Sequence, residues 1–244
     1  MQQRYIHKDI VKDLKRKMVF VSCPRQAGKT SLSIQISNEY EQSLYLNHDN
    51  SSDRYNIANL KWESSLQLII FDELHKMDKW KRWIKGIYDK KLPNQQFFVT
   101  GSARLDLYQK GGDSLLGRYH YWRLHPFTID EQIDSISKED LFTRLLNVGG
   151  FPEPLLLNDI QEARRWRRDK FRRVINEDIQ DLYHTKDIIR LQSLVETLRI
   201  RCGQLLKLTN IAHDLEVSPS TVKIWFEIIS QMYIGFPIYP YVKI

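Results

Sequence analysis

Only two cysteines, Cys23 and Cys202, occur in 244 residues, so no disulfide framework is expected and a reducing compartment suits the chain. No apolar run approaches the roughly 20 residues that a membrane-spanning helix needs. The first residues, Met1-Gln2-Gln3-Arg4-Tyr5-Ile6-His7-Lys8-Asp9, lack the apolar centre of a secretory leader. A cytoplasmic protein with no membrane contact is expected. Acidic side chains are in the minority, with 37 lysines and arginines against 30 aspartates and glutamates and a net charge of +7. The excess is spread over both halves, which favours contact with polyanions. Hydrophobic content of 42% and charged content of 27% are those of a globular protein with a sizeable core. The length suits one large domain and a smaller one.

What is present concentrates first at Val19-Phe20-Val21-Ser22-Cys23-Pro24-Arg25-Gln26-Ala27-Gly28-Lys29-Thr30. A β-branched and aromatic run ends at a loop, and Gly28-Lys29-Thr30 leads into an amphipathic helix over Ser31–Tyr40 with Leu32, Ile34 and Ile36 among its apolar residues. Strand, loop and helix in this order are the context of a phosphate-binding P-loop. The candidate triphosphate site is Cys23, Pro24, Arg25, Gln26, Ala27, Gly28, Lys29, Thr30 and Ser31. Backbone N–H groups of the loop and the helix N-terminus would face the anion. Lys29 would reach the β- and γ-phosphates, and the Thr30 hydroxyl would ligate Mg²⁺. Cys23 stands where the motif has its first glycine, while Gly28, where the phosphates approach closest, is kept.

Ser43–Leu46 is predicted as a second strand and residues 47–56 as a polar loop. Leu66–Phe71 is an apolar run closed at once by Asp72-Glu73, as for a buried parallel strand whose C-terminal end lies at the ligand edge of the sheet. In this Walker B pattern Asp72 completes the Mg²⁺ shell, and Glu73 orients and deprotonates the attacking water. Small-molecule kinases share the P-loop but do not need the second carboxylate. Met77–Tyr88 spaces Trp80, Trp83, Ile84 and Ile87 along one helical face, read as packing on the sheet. Gln96–Thr100 is a further buried strand ending in Thr100-Gly101-Ser102. Ser102, or Thr100, would touch the γ-phosphate or the water, or else cap the following helix. Leu105–Leu116 breaks at Gly111-Gly112, and Tyr119–Leu124 is the fifth strand. Arg118, just before it, is a candidate for stabilising transition-state charge in its own site or a neighbour's.

Beyond Pro154 the chain turns helical. Ile160–Ile175 carries Arg164, Arg165, Arg167, Arg168, Lys170, Arg172 and Arg173 with Trp166 and Phe171 between them. Such a run either grips a phosphate backbone or forms the solvated face of a lid helix. Asp178–Tyr183 and Ile188–Cys202 continue as helices. Leu205–Leu215, a turn, and Ser220–Tyr233 with a Ser218 N-cap and Pro219 first have helix-turn-helix spacing, and Ile234–Val242 would supply a wing. Ser220, Thr221 and Lys223 would face a major groove of double-stranded DNA, with Val222, Phe226 and Ile229 inward. Helix-turn-helix units also serve as protein-docking modules.

Cys-Pro-Arg-Gln-Ala-Gly-Lys-Thr, Ile-Ile-Phe-Asp-Glu-Leu-His-Lys, Val-Thr-Gly-Ser, Leu-Leu-Gly-Arg-Tyr, Leu-His-Pro-Phe-Thr and Gly-Gly-Phe-Pro-Glu-Pro occur in this order. In this set the chain resembles the predicted AAA-type ATPases of archaea and bacteria in which a winged helix follows the core. The resemblance implies a five-stranded parallel sheet whose Walker B strand does not directly neighbour the P-loop strand. It also implies ATP with Mg²⁺, Glu73 as catalytic base and Arg118 as arginine finger. Cys23 departs from the family's glycine, and the C-terminal nuclease-like domain usual in the family does not follow before Ile244. The resulting expectation is an α/β P-loop NTPase core over 1–125, a helical lid-like segment over 126–200 and a winged helix over 201–244. The activity expected is Mg²⁺-dependent ATP hydrolysis coupled to binding of double-stranded DNA, a partner protein or a further copy of the chain. The alternative is a non-hydrolysing, nucleotide-gated switch or adaptor.

Overall fold

Six consecutive residues, Met18–Cys23, are buried and form strand β1, as expected of a strand covered on both faces. The computed structural model describes residues 3–102, 115–133, 136–179 and 187–241. Ahead of β1 lies helix α1 (His7–Leu14), and after it come α2 (Lys29–Ser37), β2 (Ser43–Asn47), α3 (Ser51–Ala58), β3 (Leu68–Asp72), α4 (Trp80–Asp89), β4 (Gln96–Ser102) and β5 (Tyr119–Arg123). The strands make one sheet in the order β2-β3-β4-β1-β5, and every pairing is parallel. β4 therefore separates the P-loop strand from the Walker B strand, as the family resemblance implied. Residues 103–114, with most of the segment expected over Leu105–Leu116, lie outside the described residues.

Alternate residues of each strand face opposite layers. Val19, Val21, Leu68, Ile70 and Phe98 pack with Ile6 just ahead of α1, Ile10 and Leu14 of α1, and Leu32 and Ile36 of α2. Met18, Phe20, Ile69, Phe71, Phe97 and Val99 pack on the other side with Ile57, Leu74, Trp80 and Ile84. Phe71 meets the edges of Trp83 at 5.4 Å and of Trp62 and Phe97 at 5.8 Å. The predicted inward face of α4 thus holds, with Trp80 and Ile84 fully inside. The polar stretch expected as a loop over 47–56 instead contains the start of α3. The Asn50 side chain accepts from the backbone N–H groups of Ser52 and Asp53, and this cap starts a helix in which Ile57 alone is buried.

Two compact units divide the chain, residues 1–160 and 161–244. In the first, α5 (Lys138–Asn147) and α6 (Pro152–Leu157) follow the sheet. Between them, Phe127 N donates to Gly150 O at 2.7 Å, and a Cβ on Gly150 would stand 2.3 Å from Phe127 O. The neighbour is rigid backbone, so Gly150→Ala should act as overpacking and cost about 1–3 kcal/mol. Differential scanning calorimetry would read this as a fall of several degrees in the unfolding midpoint. An unchanged midpoint would show that the two segments separate freely.

The second unit begins within α7 (Ile160–Arg173), which runs into a π-helical turn (Val174–Ile179). Residues 180–186 fall outside the description, and with them most of the helix expected over Asp178–Tyr183. α8 (Ile188–Ile200) buries Leu191, Leu194 and Val195. α9 (Leu208–Asp214) and α10 (Pro219–Gln231) form the helix-turn-helix pair. Ser218 caps α10 by accepting from Thr221 N, with Pro219 first, as the spacing predicts. Trp225, not Phe226, joins Val222 and Ile229 in the interior. Positions three and four beyond Val222 both satisfy helical period, and packing selects the larger indole. No strand follows α10 among the described residues, so the expected wing is absent as far as residue 241. Pro237 and Pro240 lack the N–H that a paired strand would use.

Candidate nucleotide-binding site

The P-loop joins β1 to α2 at the C-terminal edge of the sheet. Gly28 takes φ +97° and is the N-cap of α2 with no side-chain cap, so the first N–H groups of that helix remain for an anion. The left-handed angle excludes a side chain at Gly28 without strain. The loop closes with Ala27 N donating to Pro24 O at 3.2 Å and Leu32 N to Gly28 O at 3.0 Å. Cys23 is buried, and burial pushes its thiol up to about 12, against the opposing pull of Lys29. It is a neutral thiol at the mouth of the loop, not a nucleophile.

Register brings the carboxylates to the same edge, with Asp72 opposite Thr100 on β4 and Ser102 opposite Cys23 on β1. Lys29 pairs with both acids, its ammonium 2.8 Å from Asp72 Oδ1 and in contact with Glu73 Oε1. Burial disfavours the charge on Lys29, but Glu73 and Asp72 outweigh it and hold its pKa above the ordinary value. Burial likewise works against the Asp72 carboxylate. The Lys29 charge and hydrogen bonds from Lys29, Tyr45 and Thr100 prevail and keep it below its usual range. Thr100 Oγ1 donates to Asp72 Oδ1 at 2.7 Å, and Glu73 N donates to the same oxygen at 2.9 Å. Glu73 itself has φ +55°, a left-handed turn immediately after the strand. Its Oε2 lies 3.6 Å from His75 Nε2 and 3.8 Å from Lys76 Nζ, and Lys76 reaches Asp49 at 2.5 Å.

One of these neighbours, Tyr45, lies outside every motif. The Tyr45 hydroxyl donates to Asp72 Oδ2 and also hydrogen-bonds Thr30. Thr30 and Asp72 thus lie within reach of one hydroxyl. An ionised carboxylate and an alcohol are the hard oxygen donors that Mg²⁺ takes, completed by phosphate and water. Of the other expected site residues, Thr100 spends its hydroxyl on Asp72, and the side chain of Ser102 lies outside the described residues. Arg118 stands at the opposite end of the sheet. Its carbonyl accepts from Met18 N at 3.2 Å, five residues of β1 from Cys23 and so roughly 16 Å of strand away. Its guanidinium binds Asp89 at the end of α4, with Nε 2.8 Å from Oδ1 and Nη2 3.4 Å from Oδ2. The structure does not bring Arg118 to the loop of its own chain.

Residues 15–133 match the family model described as an AAA domain, and residues 139–243 match that of a domain of unknown function. Two uncharacterized mycobacterial proteins, Rv2008c of Mycobacterium tuberculosis and Mb2031c of Mycobacterium bovis, are each 24% identical over 208 residues, 84% of this chain and 46% of theirs. The chain thus spans about half the length of these relatives. Among solved structures, the Walker-type ATPase PABY2304 of Pyrococcus abyssi superposes with a TM-score of 0.56 at 12% identity, covering 95% of this chain and 90% of that one. No helix among the described residues is long and apolar enough to cross a membrane. The stretch that matches the AAA domain model, residues 15–133, carries all five strands of the parallel sheet and the loop that ends at Gly28.

Proposed function

We propose that the chain is a Mg²⁺-dependent ATPase whose nucleotide state is coupled to binding of double-stranded DNA. The observation that carries this reading is the meeting of Lys29, Asp72 and Glu73 at the ligand edge of a parallel sheet. In the proposed reaction Lys29 exchanges its carboxylates for β- and γ-phosphate oxygens, with the N–H groups of residues 25–31 around them. Mg²⁺, held by Thr30 and Asp72, would neutralise phosphate charge. Glu73, released by Lys29, orients a water for in-line attack and takes its proton. Ser102 is the proposed contact to the γ-phosphate. In this reading Arg118, at the far edge of the sheet, would act as an arginine finger in a neighbouring copy, and the working form would be a homo-oligomer.

The DNA part rests on α7 and α10. Arg164, Arg165, Arg167 and Arg168 are exposed on α7, whereas Trp166 is half-buried. On α10 Lys223 is exposed and Thr221 partly so, at the N-terminal end that a recognition helix presents to base edges. The test pairs steady-state phosphate release, with and without Mg²⁺, with fluorescence anisotropy of a labelled duplex over a salt series. Expected are Mg²⁺-dependent release and an affinity that falls steeply with salt. Neutralising the four arginines should flatten that slope, because phosphate contacts carry it, while changing Thr221 and Lys223 should alter sequence preference. Nucleotide binding without phosphate release would mark a switch. The absence of salt-dependent binding at low ionic strength, with or without ATP, would make α9 and α10 a docking module for protein.

A further inference from the structure

Resting on the nucleotide-binding reading, we infer that Arg4 is a positioning residue for the phosphate-binding loop. Held by Glu131, it fixes the Ala27–Gly28 peptide so that the Gly28 N–H is presented to the phosphates. Arg4 lies outside every motif, yet it is 4% exposed, and Glu131 is 5% exposed. Its guanidinium makes four hydrogen bonds. Nε donates to Glu131 Oε1 at 2.6 Å, Nη1 to Ala27 O at 2.7 Å, and Nη2 to His125 O at 2.6 Å and Glu131 Oε2 at 3.4 Å. Its Cζ sits 4.4 Å over the Phe127 ring. Glu131 is fixed in turn, accepting from Tyr5 N at 3.2 Å and Thr128 N at 3.0 Å.

Buried ion pairs of this kind contribute little net stability compared with apolar residues of similar volume, so a stability role alone is a poor account of this one. What the pair does have is an address. A peptide unit is planar and trans, so its C=O and N–H point in opposite directions. A guanidinium seated on Ala27 O therefore directs the N–H of Gly28 away from Arg4, towards the concave side of the loop. The contact is close enough that a Cβ on Gly28 would lie 3.2 Å from Arg4 Nη1. Gly28 is thus needed on the arginine side as well as on the phosphate side. The charge of Arg4 is neutralised by Glu131, so the effect is one of orientation rather than attraction. His125 and Glu131 belong to the segment following β5, so the same clamp ties that segment to the geometry of the loop.

Arg4→Lys keeps the charge but cannot reach Glu131, Ala27 O and His125 O together. The double variant Arg4→Met/Glu131→Gln removes both charges and so avoids stranding a buried carboxylate. Binding of mant-ATP and the kinetics of phosphate release would be measured for both, next to unfolding midpoints without nucleotide. Losing one aligned N–H donor to phosphate is expected to raise Kd and KM about tenfold, with kcat unchanged because Lys29, Asp72 and Glu73 are untouched. Folded variants with the parent Kd would overturn the positioning role alone. So would a kcat that falls in step with the unfolding midpoint, since that reports general loosening. A parent protein that binds no mant-ATP would overturn the nucleotide reading and this one with it.

Discussion

Lys29→Ala is expected to lower affinity for ATP at least about a hundredfold, the cost of truncating one partner of a desolvated, hydrogen-bonded charge pair. No other ammonium among the described residues stands at both carboxylates, so no neighbour can substitute. Isothermal titration with a non-hydrolysable analogue would measure the loss, and parent-like affinity would remove Lys29 from the site. The same change should also destabilise the protein, because the buried Asp72 carboxylate would lose its ammonium partner. Removing one member of a buried pair costs about 3–5 kcal/mol.

The sign of the pH dependence follows from the shifts at Asp72 and Lys29. In the parent, Asp72 is depressed, so its contribution is present above the ordinary carboxylate range and is lost as pH falls through its folded pKa. Lys29 is raised, so its contribution is present below the ordinary lysine range and is lost as pH rises through its folded pKa. In the variant, burial of Asp72 is no longer opposed by the ammonium and its pKa rises, so protonation relieves the strain. The stability gap between parent and Lys29→Ala should therefore be widest near neutral pH and narrow in acid. Denaturant midpoints at several pH values would show it, and a gap that widens in acid would contradict the ion-pair account.

Glu73→Gln should separate binding from turnover. The amide can still hold a water but cannot accept its proton, and loss of a positioned general base typically costs about 10²–10⁴ in rate. Lys29 loses one of its two competing anions, so affinity for ATP should hold or rise. Single-turnover phosphate release alongside nucleotide retention on the filter would show a long-lived complex. Release at the parent rate would transfer the base role to another residue.

The parts legible from sequence are those written locally. The P-loop, the carboxylates closing β3 and the Ser218 cap each occupy a few adjacent positions, so each can be read without knowing the rest of the fold. The resemblance supplied the strand order. α3 escaped because a helix with a single buried residue has almost no apolar period, its start being set by Asn50 alone. Tyr45 escaped for another reason. Nothing in Ser43–Asn47 tells which strand it pairs with, and only that pairing puts the phenol on Asp72. Arg4 and Glu131 are 127 positions apart, beyond any spacing rule. The choice between an Arg118 acting within its own site or across to a neighbour's was open on paper. Parallel strand direction decides against the first, since a residue entering a strand and a loop leaving the adjacent one lie at opposite ends.

β4 lies between the two strands that carry the loop and the carboxylates, and this has a bearing on how the protein is made. Cys23 and Asp72 have no direct strand pairing. What they share is a register against Gln96–Ser102, through Ser102 and Thr100 respectively. A nascent chain that has emerged only as far as Glu73 holds Lys29 and both acids but lacks the strand that registers them against each other. β4 is the keystone: until it threads between its neighbours, Lys29 and its two acids belong to separate pieces of unfinished sheet.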